Sequence, residues 1–190
     1  AGRKRLESVI ADENSAKWAE WYINAVHKGK ITCCKWVKLA IERHIKDKKN
    51  LKKYYFDPKT GENVLRSFTD FKHFEGKWAG NRFIMLPWQQ AITYILFGWK
   101  NKKTGHRRFR TAYIEVARKN GKTFWASGIG LYMLDQDGES AAQVVSAATK
   151  RDQAKIVFNA SQQIVRQSPH LKKYIKTYKD SIVVEDTASS

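Results

Sequence analysis

Gly121, Lys122 and Thr123 close the run VARKNGKT, Val116 to Thr123. A Gly-Lys-Thr triplet is the end of the phosphate-binding pattern G-x-x-x-x-G-K-[ST]. There, backbone N–H groups cradle phosphate oxygens, the lysine reaches the β- and γ-phosphates, and the hydroxyl holds Mg²⁺. Val116 stands where the pattern has its first glycine. The flanks suit the chemistry. An apolar run, TAYIEVA (Thr111–Ala117), enters the loop and reads as a strand, and a run from about Lys122 to Leu134 leaves it and reads as a helix. Strand, loop and helix in that order aim N–H groups and a helix N-terminus at an anion. Arg118, Lys119 and Asn120 fill the loop, two of them cationic. A chance triplet in a basic turn is the rival reading, and the flanking elements favour phosphate over it.

Pro87-Trp88-Gln89 opens a second candidate about 30 residues earlier. Proline suits the first turn of a helix. A glutamine amide offers one donor and one acceptor, as an adenine edge requires. Trp88 could stack on a base, though a buried tryptophan is the commoner case. Other chemistry is weaker. The five histidines and the vicinal Cys33 and Cys34 match no zinc spacing, and the cysteines read as a buried helix start. DQDGE (Asp135–Glu139) reads as a surface turn and not as metal-holding carboxylates. Ile182-Val183-Val184-Glu185-Asp186 is the one apolar run that ends in paired acids, and it reads as a strand with a solvated end.

These groups need elements to hold them. The first third reads as helices. One is capped at Asn14 or Ser15 and ends before Gly29. A second follows Thr32, with Cys33, Trp36, Val37, Ala40, Ile41, His44 and Ile45 on one apolar face. Lys46–Lys53 reads as its solvated end, Asp57-Pro58 as a break, and Val64, Leu65, Phe68 and Phe71 as a third amphipathic helix. Trp18/Trp21/Tyr22 and Phe68/Phe71/Phe74 fit packing better than base stacking. Beyond Trp78 come a short extended stretch, a helix from Pro87 to Gly98, and a basic turn, Lys100–Arg110, centred on Thr104-Gly105. The turn is the best local candidate for nucleic-acid contact. From Thr111 onward strand, helix, strand (AAQVVSAA), helix and strand alternate, with HLKKYIKTYKD partly helical. That order predicts an α/β unit with a largely parallel sheet. The expected division is a helical region at 1–77 and the core at 78–190.

Charge narrows the partners. The 190 residues hold 36 Lys plus Arg against 18 Asp plus Glu, for a net charge of +18. The excess is +8 over residues 1–80 and +10 over 81–190, so it is spread and is no basic tail. Such a field favours a polyanion, through release of condensed counterions. Aromatics at 13% argue against a disordered chain. No run approaches the roughly 18 apolar residues of a membrane helix, so no membrane partner is expected. Two adjacent cysteines cannot staple a fold, which excludes a disulfide-rich secreted class.

Several stretches together resemble one family: ITCCKWVKLAIERH, EGKWAGNRFIMLPWQQ, LFGWK, YIEVARKNGKT, GIGLYMLDQDGE and SAATKRDQAKIVF. They are similar to the large terminase subunit of tailed bacteriophages, the DNA-packaging motor. The family's loops are often of the deviant form with no first glycine. The resemblance implies a phosphate-loop ATPase core of the additional-strand type, with an RNase-H-like endonuclease domain following it. It implies ATP and Mg²⁺ as cofactors, with Trp88 and Gln89 at adenine, and Arg118 through Lys122 at the phosphates. Lys122 and Arg118 would be catalytic and Thr123 would hold the metal. It implies double-stranded DNA, a portal protein and a small terminase subunit as partners, a homo-oligomeric ring during packaging, and the cytoplasm of an infected bacterium as location. Thr149–Gln153 resembles a segment near the DNA-facing or intersubunit surface. The family's Asp-Glu motif has its acids in the opposite order from Glu185-Asp186. The chain is therefore expected to hold only the first part of the core. A helicase-type ATPase and a non-enzymatic basic DNA-binding module are the alternatives.

Overall fold

The structure is a computed structural model that describes residues 11–50, 52–139 and 141–184. The chain forms two compact units. The first joins residues up to Thr69 with Ile84–Ile114. The second joins Asp70–Phe83 with the chain from Glu115 onward.

In the first unit, α1 spans Ala16–His27. Its start is fixed by amides distant in sequence and not by a local cap. Asn14 Oδ1 accepts the Met85 N–H at 2.7 Å, and Gln90 Oε1 accepts the Ser15 N–H at 2.9 Å. Gln90 Nε2 donates to the carbonyls of Glu13 and Met85. Gln90 is fully buried, and these bonds satisfy its amide at both ends. The end is a glycine cap. Gly29 sits at φ +67, its N–H donates to Val26 O, and the Lys30 N–H donates to Ala25 O.

α2 spans Lys35–Asn50. Its expected apolar face is only partly used. Ile41 and His44 are buried, but Trp36 is 74% exposed and Cys34 is exposed too. The buried helix start is thus a correction. Packing falls on the second half, where His44 Nδ1 accepts the Trp99 indole N–H at 3.0 Å and Phe56 meets the imidazole edge-on. β1 (Tyr54–Phe56) leads into α3 (Pro58–Ser67). Asp57-Pro58 both breaks one element and starts the next. Asp57 accepts the Lys59 and Thr60 N–H groups, and proline fits the first helical position. The third helix was expected to carry on through Phe71. It ends at Ser67, and a 3₁₀ turn follows over Phe68–Asp70. α4 (Pro87–Gly98) packs on α1 and α3, then β2 (Trp99–Asn101) pairs antiparallel with β1.

In the second unit, the segment 70–83 folds on itself. Phe83 N–H donates to Phe71 O and His73 N–H to Asn81 O. α5 (Lys122–Asp135) packs against α6 (Arg151–Gln167). β3 (Ile175–Thr177) and β4 (Ile182–Val184) form an antiparallel ribbon, with Ile175, Ile182 and Val184 buried. HLKKYIKTYKD, expected to be helical in part, gives one 3₁₀ turn at Leu171–Lys173 and then β3. Glu185 and Asp186 lie outside the described residues.

The expected parallel sheet does not form among the described residues, whose sheets are two antiparallel ribbons. Thr111–Ala117 and the run through Val144 and Val145 join neither of them. Alternation or apolar content sets backbone locally, while a ladder needs a second strand in register. Tyr113 is 87% and Val145 83% exposed, so these runs offer apolar side chains without a sheet beneath them. Val144 borders an apolar groove of about 750 Å³ with Ile129 and Met133 of α5 and Phe158 of α6. No helix of the described residues is long and apolar enough to cross a membrane.

Two tests follow from the first unit's core. A Cβ at Gly61 would lie 2.6 Å from Tyr94 Cδ2 and 3.0 Å from the Tyr94 carbonyl oxygen. Alanine gains about 1 kcal/mol in helix propensity, but backbone at that distance cannot yield. Gly61→Ala should therefore destabilise by about 1–2 kcal/mol net, read as a lower urea midpoint. Burial, followed by the charges of Lys48 and Arg108 against the opposing pull of Asp47, holds His44 down from 6.5 to about 4. The unfolded chain then takes up a proton that the folded chain refuses. Stability should fall as pH drops from 6.5 to about 4, by about 3 kcal/mol over the window, and His44→Gln should flatten that slope.

Candidate phosphate-binding loop

The loop before α5 gets its shape from two left-handed residues. Lys119 has φ +66 and Gly121 φ +68. Glycine takes that conformation without a Cβ penalty, whereas lysine does so at a cost. Asn120, between them, donates from Nδ2 to the carbonyls of Ala117 and Arg118 at 3.2 Å each. That side chain braces the turn from within. Gly121 is the N-cap of α5 but has no side chain to satisfy the first N–H groups of the helix.

Lys122 Nζ donates to the Val116 carbonyl oxygen at 2.5 Å. The ammonium thus spans the loop and returns to its first residue, the position where the phosphate pattern has glycine. Arg118, Lys119, Gly121 and Lys122 are exposed, and Thr123 is half-buried. Three cations stand in five residues with no acid among them. With the positive end of α5 behind them, they create a field that suits an anion.

The base of α5 is anchored. Phe124 packs against Phe83 (ring centroids 4.4 Å), His73 (5.3 Å) and Phe74 (5.7 Å). Burial holds His73 below the ordinary imidazole range. Ser127 Oγ lies 2.8 Å from the Thr123 carbonyl and 2.9 Å from that of Val157, so its one proton ties the loop end of α5 to α6. Further along, the Tyr174 hydroxyl donates to Asp135 at 3.1 Å. Burial, and then the Asp135 charge, push that phenol up to about 12.

Trp88 and Gln89 lie on the first turn of α4, in the other unit. Trp88 is half-buried and Gln89 is 1% exposed. Gln89 Oε1 accepts the Leu86 N–H at 2.8 Å, so part of its amide holds its own helix start. The structure gathers Arg118, Lys119, Asn120, Gly121, Lys122 and Thr123 into one loop, and keeps Trp88 and Gln89 together on α4. The sequence pattern did not reveal what Asn120 and Ser127 do within the loop and its helix. The Asn120-Gly121 pair, a common turn dipeptide, was the available signal, and it marks a turn without showing the bracing. Ser127 gave none, since a mid-helix serine has many uses.

The family model for the terminase large subunit, ATPase domain, matches residues 87–189, more than half of the chain. The chain belongs to this family. The large terminase subunit of Enterobacteria phage HK97 is 33% identical over 102 residues, covering 53% of this chain and 19% of that protein. The chain thus spans about a fifth of the length of this curated relative. A crystal structure of the HK97 bacteriophage large terminase superposes with TM-score 0.53 at 24% identity, over 66% of this chain and 26% of that one. At that identity the likeness speaks to fold. It supports a terminase fold of mixed helix and strand.

The left-handed Gly121 gives a direct test of the loop's construction. Gly121→Val places a β-branched side chain at φ +68 and should cost about 1–3 kcal/mol, read by chemical denaturation. Gly121→Asn, which tolerates that backbone, should cost much less.

Proposed function

We propose that the chain is the nucleotide-binding part of a viral DNA-packaging motor, which couples ATP hydrolysis to movement of double-stranded DNA into a procapsid. The observation that carries this reading is the conjunction of the family match over residues 87–189 with a cationic, left-handed loop at the start of α5. The residues present suit a polyphosphate. Backbone N–H groups at the start of α5 are not consumed by a side-chain cap, three cations surround them, and the Thr123 hydroxyl is at hand for Mg²⁺.

When bound, Mg-ATP supplies the phosphoryl group whose transfer to water releases free energy. The chain's own residues bind and orient. Lys122, which donates to the Val116 carbonyl, would hold the phosphate oxygens of a bound nucleotide. Arg118 would offset charge on the phosphoryl group and Thr123 would hold the metal. Asn120 would hold the loop's shape through its bonds to the Ala117 and Arg118 carbonyls. Trp88 and Gln89 are the proposed adenine contacts, on the resemblance of the sequence. Residues 1–77 are proposed as a helical preface and 78–190 as the first part of the ATPase core. The endonuclease domain, the catalytic acid, the portal and small-subunit partners and the ring assembly are properties proposed for the whole motor. A viral protein of this kind would work in the cytoplasm of the infected bacterium.

Lys122→Ala tests the reading. It should weaken Mg-ATP binding about 10- to 100-fold, measured by calorimetry, and leave the fold intact because Lys122 is exposed. Unchanged affinity would refute the loop assignment.

A further inference from the structure

The first unit carries a second cationic feature, far in sequence from the phosphate loop. The β1–β2 ribbon pairs Tyr54 with Asn101 and Tyr55 with Lys100. Just past that register the Lys102 N–H donates to the Lys53 carbonyl at 3.1 Å, which sets Lys52-Lys53 beside Lys102-Lys103. The last turn of α2 adds Lys48 and Lys49 a few residues before them. Lys49, Lys52, Lys53, Lys102 and Lys103 are exposed, and Lys100 is half-buried. The helix, the strand and the turn thus converge on one lysine-rich end of the unit.

The turn at this end is braced by hydrogen bonds, and few acids stand near it. Asn101 Oδ1 accepts the N–H groups of Lys103 (2.9 Å) and Thr104 (3.4 Å), the His106 carbonyl accepts the Asn101 N–H at 2.9 Å, and Gly105 turns the chain at φ +72. The neighbouring carboxylates are Asp47, bridged to Arg108 at 2.7 Å, Glu20, paired with Lys48 at 3.5 Å, and Asp57, which accepts from Lys59 and Thr60 and also feels the charge of Lys100. No acid occurs between residues 100 and 110. Arg108 stacks on Tyr54, Trp99 and Phe109, fixing the base of the turn. Clustered lysines repel one another, and a braced turn that presents them is well made for an anionic ligand.

We propose that this end, formed by Lys49, Lys52, Lys53, Lys100, Lys102 and Lys103, is a docking surface for the phosphate backbone of duplex DNA. The proposal rests on the packaging reading for its choice of polyanion. The chemistry itself favours phosphodiester over an anionic membrane. Lys100 to Arg107 carry no apolar side chain to insert among lipids, while the Thr104 hydroxyl and the exposed His106 side chain suit phosphate oxygens. Contacts of this kind read no sequence, as a translocating motor requires.

The test is fluorescence anisotropy of a random 30-base-pair duplex against the protein across a salt series. The variant is K53Q/K102Q/K103Q, with K28Q/K30Q/K35Q of the same charge as control. The triple variant should bind about tenfold or more weakly at 0.1 M salt and flatten the log K against log salt slope by about 2–3, since each lost phosphate contact removes about 0.9. The control should change much less, and K53R/K102R/K103R should restore wild-type binding. Equal loss in variant and control, or no loss in either, overturns this surface while leaving the packaging reading in place. A wild-type protein with no salt-dependent duplex affinity overturns both. Capture by phosphatidylserine vesicles with no duplex binding overturns the DNA assignment in favour of a membrane. Loss of Mg-ATP binding is not expected in any of the three variants.

Discussion

Everything proposed for the second unit depends on backbone held left-handed at Lys119 and Gly121, with the Lys122 ammonium drawn across to the Val116 carbonyl. The φ values aim the chain. Asn120 ties down the carbonyls of Ala117 and Arg118 from inside the turn. Phe124, packed on Phe83, His73 and Phe74, keeps the start of α5 in place behind them. A valine at the first position of the loop is compatible with this arrangement. What the lysine uses there is the carbonyl, which any residue supplies.

The first unit is organised by buried polar groups with distant partners. Gln90 and Asn14 join segments more than 70 residues apart. The Trp99 indole donates to His44, tying β2 to α2. Unmade, such bonds would each cost about 1–3 kcal/mol, so they select one packing among many that hydrophobic burial alone would allow. Gly61 acts in the same direction, because only a residue without a Cβ lets α3 meet Tyr94 of α4 so closely.

Local signals were legible in the sequence, and pairing was not. Gly29, Pro87, Gly98 and the Thr104-Gly105 turn punctuate the chain where their chemistry says they should. Asp57-Pro58 announced a break, and the capping that makes it also a start lay in the same two residues. Helical periodicity in α2 overstated burial, because spacing says which residues share a face and not whether anything covers it. Trp36 is the residue that shows this. The parallel sheet was inferred from alternation of elements, but a sheet is a non-local object, and Tyr113 and Val145 stand exposed on runs that join none. For the loop, residue types gave the cations and the glycine. The bracing by Asn120 and the hydroxyl of Ser127 required coordinates.

The most direct measurement of the central claim is amide hydrogen exchange at residues 117–123 with and without saturating Mg-ATP. If these N–H groups cradle phosphate, their exchange should slow about tenfold or more on nucleotide addition, while amides of the β1–β2 turn stay unchanged. Exchange in the loop that is indifferent to Mg-ATP would contradict the account.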